Sequence, residues 1–128
     1  MGQRVRRVLL VGLLVGCRER APSPAAFQEP PGPRVLVEVL NATGVPGLAR
    51  EGTRHLRQQG LDVVFFGNAD QTVDSTEVLI RRGDGSAGAR VARALGLGAV
   101  RRVEDTLRRV DVTVLLGRDY RPPPRFPD

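Results

Sequence analysis

Val35-Leu36-Val37-Glu38-Val39-Leu40 is apolar at every position but one and rich in branched side chains, and it runs directly into Asn41-Ala42-Thr43-Gly44-Val45-Pro46-Gly47. A short, nearly continuous apolar run of this kind reads as a strand covered on most of both faces, hence a central one. The turn residues lead to Pro46, which suits the first turn of a helix. Downstream, Val45, Leu48, Ala49, Gly52 and Leu56 recur at helical spacing, while Arg50, Arg54 and Arg57 fall on the opposite side, where water is expected. Gly60 is placed for a left-handed helix stop, and Leu61 to Phe66 reads as a second strand closed by Gly67-Asn68-Ala69-Asp70.

The same grammar returns further along. Thr76 to Arg81 reads as a strand, Arg82-Gly83-Asp84-Gly85-Ser86 as a loop, and Ala87 to Leu95 as a helix with Ala87, Gly88, Val91, Ala92 and Leu95 inward. Gly96 and Gly98 stop that helix before a short strand from Ala99 to Val103, and Val110 to Leu116 supplies a last apolar strand. Strand-helix-strand twice over and a closing strand predict a two-layer α/β domain, with two helices on one face of a mixed four- to five-stranded sheet.

Outside this unit the composition changes. Arg4, Arg6 and Arg7 precede an eight-residue apolar run from Val8 to Val15, then come Gly16 and Cys17, the only cysteine of the 128 residues. Basic first and apolar second is the layout of a secretory signal; eight residues are far short of the roughly 20 that span a bilayer. Gly2 does not favour myristoylation, since the motif needs Ser or Thr where Arg6 stands. Leu14-Val15-Gly16-Cys17 resembles the lipobox of bacterial lipoproteins, in which the cysteine becomes the lipidated first residue. Residues 1–16 are therefore expected to be a lipoprotein signal peptide and Cys17 a membrane anchor. Residues 17–33 contain five prolines and no apolar period, as a tether would. Residues 34–121 form the α/β domain, and 122–128 a Pro-rich tail in which Phe126 is the one apolar residue apart from proline.

Charge says less than its total suggests. All 20 basic residues are Arg, and the net +6 falls to +3 from Cys17 onward, where 17 arginines face 14 acidic residues. With 4% aromatic residues and no Trp, the core must be built from Val, Leu and Ala, which excludes a deep aromatic-walled pocket. The doublets Arg81-Arg82, Arg101-Arg102 and Arg108-Arg109 are interrupted by Glu104, Asp105 and Asp111, and export argues against nucleic acid as a partner.

Three segments together resemble the C-terminal domain of the LytR/CpsA/Psr family of bacterial cell-envelope proteins. They are Val39-Leu40-Asn41-Ala42-Thr43-Gly44-Val45-Pro46-Gly47-Leu48-Ala49, then Gly60 to Val64 with Gly67-Asn68-Ala69-Asp70, then Asp111 to Tyr120. In that family the domain often follows a catalytic domain that transfers anionic glycopolymers to peptidoglycan. Nothing between Cys17 and Arg34 has room for such an enzyme, so the resemblance implies an accessory module carried alone on a lipid anchor. It would bind a cell-wall glycan, an anionic polymer or an envelope protein, facing the periplasm or exterior from the cell membrane or outer membrane.

A site is expected where the first, third and fifth strands end, if those strands are mutually parallel. Asn41, Thr43 and Gly44, then Arg82 and Asp84, then Arg118 and Tyr120 would share one sheet edge, where open α/β sheets bind ligands and where both helices would offer free N–H groups. The competing reading makes the same residues turn formers and caps, with Tyr120 packed. An enzyme acting on a phosphorylated or glycosidic substrate in that crevice would need Asp84 and Asp119 as its acid and base. No catalytic motif, metal site or cofactor site is read. Gly44-Val45-Pro46-Gly47 lacks the third glycine of a dinucleotide fingerprint, Asp70, Asp74 and Asp84 lack calcium-loop spacing, and His55 reads as a surface residue with Glu51 one turn back.

Overall fold

The computed structural model describes residues 32–125, together with the isolated glycines at 2, 12 and 16. Cys17, the tether up to residue 31, Phe126 and, apart from those glycines, the expected signal peptide lie outside the described residues. Seven elements follow in chain order: β1 (Leu36–Asn41), α1 (Leu48–Gln58), β2 (Asp62–Asn68), β3 (Glu77–Ile80), α2 (Gly85–Leu95), β4 (Ala99–Arg102) and β5 (Val112–Leu116). Two helices and a five-stranded mixed sheet make the expected two-layer architecture.

The strand order is β2-β1-β5-β3-β4. β1 runs parallel to both β2 and β5, β3 runs parallel to β4, and β3 and β5 are antiparallel. The closing strand is thus inserted between the two strand-helix-strand units rather than added at a rim. Each unit steps outward from β5, one toward β2 and the other toward β4. A right-handed crossover with its helix on a given face must run in opposite directions when it steps in opposite directions, so β3 opposes β1. The premise of three parallel strands is corrected accordingly: the loop after β3 lies at the opposite sheet edge from the loops after β1 and β5.

Val37, Val39, Val78, Val112, Val114 and Leu116 project from the helix-bearing face into one core with Leu48, Ala49, Leu56, Val91 and Leu95. Each helix lies close to the sheet at a glycine. A Cβ on Gly52 would stand 2.8 Å from the Leu116 side chain, and one on Gly88 would stand 2.7 Å from Ile80 and 2.9 Å from Val100. α1 ends as its sequence suggests: Gly60 adopts φ 81°, and the Leu61 N–H donates to the Leu56 carbonyl across the turn. Val45 departs from the expected stripe. It precedes the helix and is 55% exposed, because α1 starts at Leu48 after the N-cap Gly47, which leaves Pro46 before the first turn rather than in it.

Among the described residues the other face of the sheet carries no helix. There the buried Glu38 accepts from the hydroxyl of buried Thr113 and from Arg108, while Arg81 donates to Thr113 and to the Val103 carbonyl. The 103–111 connection is pinned over the sheet by this network, and burial first, then the neighbouring Arg108, lowers the pKa of Arg81.

Candidate functional site: the α1 flank and the edge of β2

Of the residues expected at one crevice, Asn41, Thr43, Gly44, Arg118 and Tyr120 do fall at the edge where β1 and β5 end, whereas Arg82 and Asp84 sit at the other edge. Those at the β1/β5 edge are engaged within the fold. The Asn41 amide donates to the Val45 carbonyl at 2.6 Å, and its oxygen accepts from the Thr43 N–H at 3.0 Å and the Thr43 hydroxyl at 2.6 Å. The Thr43 hydroxyl in turn accepts from the Val45 N–H at 3.0 Å. Gly44 serves the turn with φ 77°. Tyr120 is 2% exposed and meets His55, and Arg118 pairs at 3.3 Å with Asp74 on the surface.

Across the sheet, Arg82 pairs with Asp111 at 2.7 Å. Asp84 is the N-cap of α2: it accepts from the Ser86 N–H at 2.9 Å and from the Ser86 hydroxyl, and these bonds hold its carboxyl below the usual range. Asp119 accepts the Thr76 N–H at 2.8 Å and the Thr76 hydroxyl at 2.7 Å, just before β3 begins. From Thr76 to Ile80 the strand alone covers roughly 13 Å, beyond the ~9.5 Å upper separation of glycosidase carboxylate pairs. Asp84 and Asp119 are therefore not a catalytic couple. Most members of the arginine doublets are likewise engaged: Arg101 with Glu77, Arg102 with Glu104, and Arg108 with Glu38 and Asp105, whereas Arg109 contributes its carbonyl to Arg82 at 3.4 Å. Among the described residues no group of three or more His, Cys, Asp or Glu side chains gathers as a metal site, and no helix is long and apolar enough to cross a membrane.

A different concavity is present. α1 overhangs the edge strand β2 and forms a groove of about 440 Å³ lined by Arg50, Thr53, Arg54, Arg57, Gln58 and Phe66. Arg50 and Phe66 also line an adjoining hollow of about 630 Å³ that reaches the start of α1, Asn68 and the tail residues Pro122 and Arg125. Phe66 is 39% exposed. Arg57 donates to the Val63 carbonyl at 2.8 Å, and Glu51 accepts from Arg54 at 2.6 Å and from Arg125. The bond from Arg125, then the charges of both arginines, keeps the Glu51 carboxyl below its usual range. Thr53 Oγ1 and Arg54 Nε are buried without a hydrogen-bond partner, and both residues belong to this groove.

The sequence pattern assigned the three arginines to water and gave Phe66 only to a strand. Periodicity reports which way a side chain points along its own element; it carries nothing about which neighbour stands beside it. The exposed Phe at the end of a strand was the one available signal.

Residues 34–120 match the family described as LytR cell envelope-related transcriptional attenuator. The chain belongs to the LytR C-terminal family. The match takes in every strand and helix of the sheet, so all of the groove lies inside the LytR C-terminal domain. Among solved structures, the domain is similar to the soluble domain of a conserved hypothetical secreted protein from Mycobacterium marinum, the Rv2700 ortholog, at 24% identity and a TM-score of 0.50. That alignment covers 68% of this chain and 61% of the other, and it speaks to fold. The C-terminal domain of RV0431 aligns at 26% identity over 76% of this chain and 82% of the other, with a TM-score of 0.41. No curated relative matches the chain.

Proposed function

We propose that this LytR C-terminal domain is a non-catalytic binding module of the bacterial cell envelope, exported and held at the membrane by lipid on Cys17, where it retains a cell-wall glycan, an anionic polymer or an envelope protein. The observation that carries the reading is the extent of the family match. A cell-envelope family accounts for 34–120, the whole sheet, and what precedes it is a basic-apolar leader, a cysteine and a proline-rich tether. The enzyme reading finds no support in the geometry, since its two carboxylates serve as a helix cap and a strand clamp at opposite edges. The test is capture: the full chain, displayed on a lipid surface, is exposed to fractionated envelope polymers and envelope proteins. Selective retention of an envelope component is expected. Turnover of a glycan or phosphorylated substrate with no stable retention would replace the binding module by an enzyme.

A further inference from the structure

We infer that the groove between α1 and the edge of β2 is the binding face of the module and that its ligand is an acidic glycan, a sugar chain bearing carboxylate or phosphate groups. The inference rests on the binding-module reading and gives it a location and a ligand chemistry.

Arg50, Arg54 and Arg57 recur at spacings of four and three along one helix flank and so span about 10 Å of its axis. Arg125 of the tail joins them, and the single acid of the group, Glu51, is shared by Arg54 and Arg125. Four cations against one anion leave a strongly positive strip. Arg50 is exposed and has no ion-pair partner among the described residues, and Arg57 spends one nitrogen on the Val63 carbonyl while its other donors stay open. Phe66 lines the same groove and its exposed ring suits the apolar face of a sugar, while Gln58, also in the lining, can meet hydroxyls. Discrete anions along a chain of rings match cations and an aromatic ring in one groove.

The other occupants fit less well. A peptide adding itself as a strand needs a continuous ladder on the free edge of β2. That edge is interrupted where the β1/β2 register shifts at Val64, and the Val63 carbonyl beside it is already taken by Arg57. A second copy paired two-fold through β2 would bring two such arginine rows together, with repulsion between like charges. A bilayer is too flat to enter a groove lined by Phe66.

The full chain in non-ionic detergent is titrated with a short oligogalacturonide, and in parallel with a neutral oligomaltoside, poly-L-glutamate and phosphatidylglycerol vesicles. The oligogalacturonide should bind in preference to the other three. Arg50→Gln with Arg57→Gln should weaken it about tenfold and flatten its salt dependence, and Phe66→Leu should weaken it with the salt dependence kept. Arg93→Gln on α2 should change nothing. Arg50→Gln alone, at a side chain that supports no other, should show the same trend if loss of the Arg57 bond disturbs the fold. Unchanged binding in the arginine variants would overturn the groove while leaving a binding module in place. Preference for the neutral sugar, poly-glutamate or vesicles would overturn the ligand class. Silence of every probe would overturn the inference, with the envelope capture experiment left to decide the broader reading.

Discussion

The only histidine and the only tyrosine of the chain meet: His55 Nδ1, on α1, lies 3.3 Å from the Tyr120 hydroxyl, just beyond β5. The imidazole tautomer sets the direction: the phenol donates when the ring proton is on Nε2, and Nδ1 donates when it carries the proton. The surface ion pair expected between His55 and Glu51 gives way to this contact, because Arg54 and Arg125 occupy Glu51.

Both titrations follow from that burial. Burial, then the Glu51 charge, pushes the Tyr120 pKa up from 10.0 to about 12, while burial, then Arg54, lowers His55 from 6.5. A raised acid favours the native state below its unfolded pKa, so this part of the stability is lost as pH climbs from about 10 toward 12. A lowered base does so above its unfolded pKa, so its part is lost as pH falls below about 6.5. Stability should be flat between and fall at both ends. Because each residue is unique, phenolate absorbance and imidazole NMR can follow them separately; a Tyr120 titrating near 10 in the folded protein would refute its burial against α1.

Asp119→Ala should destabilise the domain by about 1–3 kcal/mol, since it strips acceptors from the buried Thr76 N–H and hydroxyl. The same hydroxyl accepts from the Gly117 N–H at 3.0 Å, so the end of β5 loosens as well. Urea unfolding measures this, and ligand retention by the folded variant should be unaltered.

Leu56→Ala should cost roughly 2–4 kcal/mol, as a fully buried side chain is cut back under a sheet that cannot collapse onto it. Arg93→Ala, exposed on α2, should cost under about 0.5 kcal/mol. Equal melting temperatures would show that the buried face of α1 is misassigned.

Two glycines of α2 should respond in opposite directions to alanine. At Gly88 the new methyl would meet Ile80 at 2.7 Å and force helix and sheet apart, costing about 1–3 kcal/mol. At Gly85 the nearest atom is 3.8 Å away, so Gly85→Ala should be neutral or stabilise by about 0.4–1 kcal/mol through the unfolded chain. Thermal denaturation of the pair separates close approach from simple helix propensity.

Cys17→Ser should abolish lipid labelling and leave the protein as an unprocessed precursor or in a soluble fraction. Each buried CH₂ contributes about 0.8 kcal/mol and one chain binds only marginally, so the several chains of a lipoprotein cysteine would hold the module essentially permanently. Arg18, rather than the Asp that retains some lipoproteins at an inner membrane, leaves outer-membrane sorting open. Labelling with a palmitate analogue and mass spectrometry of the mature N-terminus would expose an unmodified Cys17 and refute the anchor.

Local pattern was enough for the elements and their inward faces. Leu48, Ala49, Gly52 and Leu56 point into the core because helical spacing puts them on one stripe, and Gly60 and Gly96 end helices because glycine takes positive φ at low cost. The family was legible too, since its motifs are contiguous runs. Strand direction was not. Whether β5 pairs beside β1 or at a rim depends on hydrogen bonds between residues some 75 apart, such as Leu36 N–H to the Asp111 carboxylate, and no period along the chain encodes them. Once β5 lies between the two units, crossover handedness turns β3 around and sends Arg82 and Asp84 to the far edge. The same tertiary decision makes β2 an edge strand, which is why Phe66 and the arginines of α1 face one another across open space instead of being covered by a neighbouring strand.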